Sequence, residues 1–416
     1  MIKWRKHWLP MKRIVIVVTI FILVYIGVVE LDTSNMLLNH DLDVDLVDLT
    51  LLSSAKDRGA LCLDGSLPGY HFRKGFGSGS NNWIIHVEGG GWCNTIASCI
   101  KRKSTPLGSS SHMEQQIRFQ GILSGSSFQN PDFYNWNKVK FRYCDGGSFT
   151  GHSDINSKSG EEIIFRGQYI WDALVDELMS MAMGRAEKVL LSGCSAGGLA
   201  TLIHCDSFKE RLPKGVTFKC LADAGFFIDE KDVRGNFTLR SFYHDVAMLQ
   251  ELTKNLPQSC ISQMDLYRCM FPREITATMQ TPLFIVQPAY DFWQIQNILV
   301  PDGSGSLYNW RKCRLNLNHC NSDQLEILGG FRASLLREMR GFLVRKDAGH
   351  FINSCFVHCQ TWMGSTWHSP TSPRINNKTI AESVGDWFFD RGVAKLIDCS
   401  NFRCNPTCHN LHFLAD

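Results

Sequence analysis

Residues 188–199 read KVLLSGCSAGGL. Lys188 to Ser192 is a short apolar run of the kind that forms a buried strand, and Gly198 to Leu212 carries a helical pattern. Between them stands Gly193-Cys194-Ser195-Ala196-Gly197-Gly198. G-x-S-x-G at a strand-to-helix turn is the pattern of a nucleophile elbow. The serine must sit on a tight turn with its hydroxyl exposed above the sheet. Glycines two residues to either side permit that backbone and a close approach of strand to helix. A glycine-rich turn with no chemistry would share the letters, but the strand–turn–helix context favours the functional reading. Ser195 at the apex is therefore the candidate nucleophile. Cys194 is expected to point away from the site, which sets a cysteine nucleophile aside.

Working outward, Asn82–Glu88 (NWIIHVE), Val139–Tyr143 (VKFRY) and Pro282–Gln287 (PLFIVQ) read as further strands. Tyr169–Met183 reads as an amphipathic helix, with Ile170, Ala173, Leu174, Leu178 and Met181 along one face. Strands alternating with helices predict a largely parallel sheet covered on both faces, with its site beyond the carboxyl ends of the strands. An elbow needs an oxyanion hole. One donor should be the N–H of Ala196, and the others should come from a glycine-rich loop after an earlier strand. Gly90, Gly91 and Trp92 in VEGGGWC (87–93) fit that loop.

A serine also needs a base, and the base an acid to orient it, in the chain order Ser, Asp or Glu, His. Asp291, just beyond PLFIVQ, is the stronger acid candidate. Asp223, after the shorter run TFKCLA, is its rival. GFLVR (341–345) reads as the last strand, followed by both His350 and His358. Spacing does not choose between the two histidines. Cys355 and Cys359 bracket His358, where disulfides could hold its loop rigid.

The 416-residue chain has 44% hydrophobic and 20% charged residues, which excludes a disordered or multi-span membrane protein. Five of its 43 basic residues lie in the first thirteen, leaving 38 against 40 acidic ones. No basic excess remains to argue for nucleic acid. Ile14–Val29 is a sixteen-residue uncharged run after that basic cluster, either a signal-peptide core or a signal anchor. A helix over it would span about 24 Å, short of the roughly 30 Å hydrocarbon core, so an anchor here would suit an early secretory membrane. Both readings deliver the rest of the chain to the secretory lumen. All sixteen cysteines lie beyond residue 60, which suits disulfides in that compartment. Cys399, Cys404, Cys408 and His409 could be read as a zinc cluster, but disulfides are preferred there and no metal site is assigned. Asn236 and Asn377 head glycosylation sequons. The chain thus divides into a basic segment (1–13), the apolar run (14–29), an acidic stem (30–56) whose Leu/Asp alternation could also form one edge strand, and a single catalytic domain (57–416).

Several blocks together resemble the plant pectin acetylesterase family, whose relatives include the animal Notum carboxylesterase. They are VEGGGWC (87–93), RYCDGGSF (142–149), LSGCSAGGL (191–199), DAGFF (223–227), AYDFWQI (289–295) and INSCFVHCQ (352–360). The resemblance implies a disulfide-rich α/β-hydrolase-like fold and a triad of Ser195, Asp291 and His358. It also implies oxyanion donors at Gly91, Trp92 and Ala196, with Gly90 adjacent. The implied reaction removes acetyl groups from galacturonic acid units of cell-wall pectin and requires no metal or organic cofactor. The implied residence is secreted, in the wall, while the apolar run Ile14–Val29 keeps open a membrane tether in the endoplasmic reticulum or Golgi with a lumenal catalytic domain. Two alternatives stand beside it: a Notum-like esterase acting on an acyl group of a protein or lipid, and a non-catalytic polysaccharide-binding relative.

Overall fold

The computed structural model describes residues 46–156, 162–302 and 310–408. The basic segment, the apolar run Ile14–Val29 and the first part of the stem lie outside the described residues. Twelve strands are assigned: β1 (Leu46–Leu51), β2 (Gly69–Arg73), β3 (Asn82–Val87), β4 (Gln116–Arg118), β5 (Asn137–Phe141), β6 (Ser153–Asn156), β7 (Glu162–Phe165), β8 (Lys188–Cys194), β9 (Thr217–Asp223), β10 (Leu283–Val286), β11 (Gly349–Ile352) and β12 (Lys395–Ile397). Ten form one sheet in the order β12-β11-β10-β9-β8-β3-β5-β2-β1-β4, and β6 and β7 form a separate hairpin. From β12 to β5 every pairing is parallel, and β2 joins β5 antiparallel.

The parallel strands are mostly apolar because both faces are covered, with Lys138 and Lys140 of β5 and Lys219 of β9 among the exceptions. In β8, Val189 and Leu191 point to one core and Leu190 to the other, as the two-residue repeat of a strand requires. The principal helices are α1 (Ile96–Lys103), α2 (Gly167–Ser180), α3 (Ala196–Arg211), α4 (Thr238–Leu249), α5 (Ser322–Glu338) and α6 (Ile380–Phe388). Leu174 and Leu178 of α2 and Leu199 of α3 share the core of Val189 and Leu191. Ile380, Val384 and Phe388 of α6 share the core of Leu190, with Ile84, Leu221 and Phe284. Helix α6 starts at a capping box, in which the Thr379 side chain accepts from Glu382 N–H and Glu382 from Thr379 N–H.

Two sequence expectations are corrected. The catalytic fold begins before residue 57, because β1 pairs with β2 inside the sheet, and β4 lies beyond β1. GFLVR is not a strand, since a short helix covers Arg340–Leu343. The last long-range strand of the site is β11, and His350 lies within it. Its apolar part, Phe342–Val344, is too short to distinguish the two geometries, and here the segment forms a helical turn packed against the short helix Pro272–Thr278.

All sixteen cysteines pair: Cys62–Cys144, Cys93–Cys99, Cys194–Cys359, Cys205–Cys220, Cys260–Cys269, Cys313–Cys320, Cys355–Cys408 and Cys399–Cys404. Among the described residues no helix is long and apolar enough to cross a membrane. Alkylation of the folded protein without reduction, followed by mass spectrometry, is expected to find almost no labelled cysteine. Labelling of more than half of the sixteen would contradict the eight pairings.

Candidate active site

The turn between β8 and α3 holds Ser195 at φ 59° and ψ −124°, a conformation that costs strain in a residue with a side chain. The packing around it leaves no slack. A Cβ on Gly193 would lie 2.2 Å from Gly197 O, and one on Gly197 would lie 2.2 Å from Val87 O. Ser195 N–H donates to Asp223 O at 2.9 Å, which fixes the turn against β9.

The Ser195 hydroxyl lies 2.8 Å from His358 Nε2. The other ring nitrogen, Nδ1, lies 2.8 Å from Asp291 Oδ2 and 3.0 Å from Oδ1. A carboxylate at Nδ1 holds the proton there and leaves Nε2 as an acceptor facing the hydroxyl. Asp291 follows β10 and is 1% exposed. Its Oδ1 also accepts from Trp293 N–H and Gln294 N–H, so the backbone fixes its orientation. Phe292 meets the His358 ring edge-on and Trp293 stacks on it. The histidine loop is tied at both sides, through Cys355–Cys408 and Cys194–Cys359.

Asp223 does another job. Its Oδ2 accepts from Gln360 N–H, Thr361 N–H and the Thr361 hydroxyl at 2.6, 2.7 and 2.8 Å. Burial pushes this carboxyl up to about 6, against those donors and the nearby His358. It anchors the loop behind His358 rather than the imidazole itself. His350 is buried in β11 and its Nδ1 has no hydrogen-bond partner among the described residues. Burial, with Lys395 adding to it, lowers its pKa to about 4.

The loop after β3 closes the other side. A Cβ on Gly89 would lie 2.9 Å from Ser195 Cβ, so this loop rests on the serine. Among the described residues no protein acceptor receives the N–H of Gly90, Gly91 or Trp92. The Trp92 indole is turned away into an edge-on cluster with Phe227, Tyr243 and Trp293, and its Nε1 donates to Ser148 Oγ at 2.7 Å. Ala196 opens α3, where N–H groups have no partner within the helix and the helix dipole is positive.

The pectinacetylesterase profile matches residues 41–409. The chain belongs to the pectinacetylesterase family. It is 56% identical to pectin acetylesterase 5 of Arabidopsis thaliana over 89% of this chain and 86% of that protein. Identity to pectin acetylesterase 4 of the same plant is 54%, over 88% of each. Among solved structures, the Wnt deacylase Notum from Drosophila superposes with a TM-score of 0.72 at 22% identity, covering 88% of this chain and 99% of the other. That likeness establishes the α/β-hydrolase-like fold of this family member.

Beside Ser195 the pectinacetylesterase chain opens a cleft of about 560 Å³. One wall is apolar, with Phe119, Leu123, Phe292 and Trp362. The other is ionic. Lys140 Nζ lies 3.0 Å from Glu88 Oε1, and Arg142 bridges Glu88 Oε2 at 2.9 Å and Glu114 at 2.7 Å. Burial alone would raise the Glu88 carboxyl, but Lys140 and Arg142 with Tyr143 N–H bring it down to about 2. Arg118, exposed at the mouth, has no ion-pair partner among the described residues. The sequence reading missed this wall, because its members lie in or just beyond the ends of β3, β4 and β5 and only the sheet order brings them together.

Cys194 is corrected as well: it borders the cleft, locked to Cys359. Cys399 and Cys404 are likewise oxidised to each other, so neither is available as a metal-binding thiolate. Cys408 is bonded to Cys355, and His409 lies outside the described residues. Asn236 and Asn377 are both exposed.

Asp291→Asn is expected to lower kcat by about 10³- to 10⁴-fold, because an amide favours the wrong histidine tautomer. Asp223→Asn is expected to keep most of the activity, since an amide oxygen can still accept the three loop bonds. Steady-state kinetics on both purified variants checks this. Loss confined to Asp223→Asn would reverse the assignment.

Proposed function

We propose that the chain hydrolyses acetyl esters on galacturonic acid units of pectin through an acetyl-Ser195 intermediate. The observation that carries the proposal is the 2.8 Å approach of His358 Nε2 to Ser195 Oγ at a cleft with one ionic wall. His358 Nε2 takes the hydroxyl proton as Ser195 Oγ bonds to the acetyl carbon. The carbonyl electron pair moves to oxygen, and the N–H groups of Gly91, Trp92 and Ala196 hold the resulting oxyanion. Loss of one such donor typically costs about 3 kcal/mol of transition-state stabilisation. The carbon–oxygen bond to the sugar then breaks, and His358 returns the proton to the sugar oxygen. Water attacks acetyl-Ser195 with His358 as base, and acetate leaves as the serine regains its proton. Asp291 orients the imidazole through its contact with Nδ1.

The cleft supports a sugar acid in preference to a long acyl chain. An alkyl chain laid along the Lys140–Glu88 and Arg142–Glu114 pairs would strip their water and return no polar contact. A uronate ring can set its apolar face on Trp362, which is 43% exposed, and its carboxylate near Arg118. Eight disulfides and two exposed sequons support a lumenal or wall residence.

Acetate release from acetylated pectin, acetylated xylan and long-chain acyl esters tests the substrate class. Acetylated pectin is expected to be preferred, and Ser195→Ala and His358→Ala to lose about 10⁴- to 10⁶-fold in turnover without unfolding. Preference for long acyl chains would move the chain to the Notum-like reading. More than a few per cent of activity in Ser195→Ala would end the serine-hydrolase reading altogether. Arg118→Gln is expected to raise KM for acetylated polygalacturonate about two- to fivefold, the strength of an exposed ion pair. Its KM for 4-nitrophenyl acetate should not change. Equal effects on the charged and the neutral ester would remove Arg118 from substrate recognition.

A further inference from the structure

The glycine loop after β3 is held from behind, at its carbonyls. Arg102 Nη1 donates to Gly90 O at 2.8 Å, and Nη2 reaches Gly91 O at 3.5 Å. The Tyr143 hydroxyl donates to the same Gly91 O at 2.8 Å. Both peptides are trans, as there is no cis bond among the described residues. In a trans peptide the C=O of one residue and the N–H of the next point in opposite directions. Fixing Gly90 O therefore aims Gly91 N–H the other way, and fixing Gly91 O does the same for Trp92 N–H.

The loop needs such a tether. Gly90 and Gly91 have φ of 138° and 62°, and glycine explores this region and its mirror at little cost. A rotated peptide would present a carbonyl oxygen where an oxyanion must be stabilised. That would replace attraction by repulsion.

We propose that Arg102, acting with Tyr143, is the positioning residue of the oxyanion hole, holding Gly91 and Trp92 with their N–H groups facing the acetyl carbonyl. The inference rests on the oxyanion assignment proposed above. Arg102 does not border the cleft, so it works through the two peptides and not on substrate.

Its own placement is constrained on every side. Arg102 lies on α1, whose start is joined to the loop by Cys93–Cys99 and capped by Thr95. Its Nε donates to Leu107 O at 2.8 Å, and its guanidinium lies over the Tyr143 ring, 5.0 Å from the centroid. Tyr143 is fully buried and its hydroxyl accepts from Ser148 N–H at 2.9 Å. Ser148 Oγ donates in turn to Ala196 O at 2.8 Å and accepts from the Trp92 indole. The same scaffold thus ties the glycine loop to the first residue of α3, the other half of the hole. Three carbonyls in one region call for a planar fork of donors, which arginine has and lysine lacks. A cation behind the peptides also polarises them toward stronger donation at their N–H ends.

The test compares wild type with Arg102→Met, Arg102→Lys and Tyr143→Phe, each normalised to sites titrated by a fluorophosphonate. Three quantities are measured: kcat and KM for 4-nitrophenyl acetate, the inhibition constant of a trifluoromethyl ketone that adds to the serine as a tetrahedral oxyanion, and the unfolding temperature. Arg102→Met is expected to lose about 10- to 100-fold in kcat with KM within about twofold, and to bind the ketone more weakly by a similar factor. Arg102→Lys should fall between wild type and Arg102→Met, because it can serve one carbonyl. Tyr143→Phe should show a smaller loss of the same pattern. If Arg102→Met does not fold, the other two variants carry the test. Wild-type kcat and ketone affinity per titrated site would overturn the proposal. So would a fall in kcat that follows the unfolding temperature while ketone affinity stays constant. Either result, with Ser195→Ala inactive, removes only the role of Arg102. Turnover in Ser195→Ala would instead remove the triad reading beneath it.

Discussion

Ser195 occupies a backbone conformation that side chains avoid, and it does so because β3, β8, β9 and α3 meet there with no space between them. Gly193 faces Gly197 O, Gly197 faces Val87 O, and Gly198 approaches Gly225. A methyl group at any of these positions would push the helix off the sheet. The rest of the site is referred to that contact. The loop after β3 rests on the serine, and the start of α3 carries the Ala196 N–H. Asp223, at the end of β9, accepts the turn's own N–H at its carbonyl.

Holding a histidine against that serine is a separate problem, since the two are 163 residues apart in the chain. Three ties bring them together. Cys194, before the serine, is bonded to Cys359, after the histidine. Asp223 uses its carboxylate to receive Gln360 and Thr361, while its main chain receives Ser195. Asp291 holds the ring itself. A covalent bond closing so long a loop removes much of the freedom of the unfolded chain, and it acts at the point where misplacement by an ångström would cost turnover.

Much of this was legible in the sequence, for physical reasons. Buried parallel strands must be apolar on both faces, so KVLLS and PLFIVQ declared themselves, and the elbow glycines declared the turn. Sites lie at strand ends, which put Asp291 forward. GFLVR misled because three consecutive apolar side chains, Phe342 to Val344, carry no period. The stem misled because Leu/Asp alternation suits a solvated chain and a half-buried strand equally. Asp223 read as a rival acid because it too ends a strand, and only the three-dimensional path of residues 360–361 gives it another task. The ionic wall was invisible because it joins residues from elements distant in sequence, and the Arg102 tether, though only 12 residues from Gly90, depends on which way the loop carbonyls point, which the letters do not carry.

The central claim is that Ser195 carries the acetyl group. Rapid acid quench of the enzyme during turnover of 4-nitrophenyl acetate, followed by peptide mass spectrometry, tests it directly. The account predicts an added acetyl mass on the peptide containing Ser195, present within the first turnover and absent from Ser195→Ala. Full-rate acetate release with no acetyl on that peptide, or with acetyl on a different residue, would contradict it.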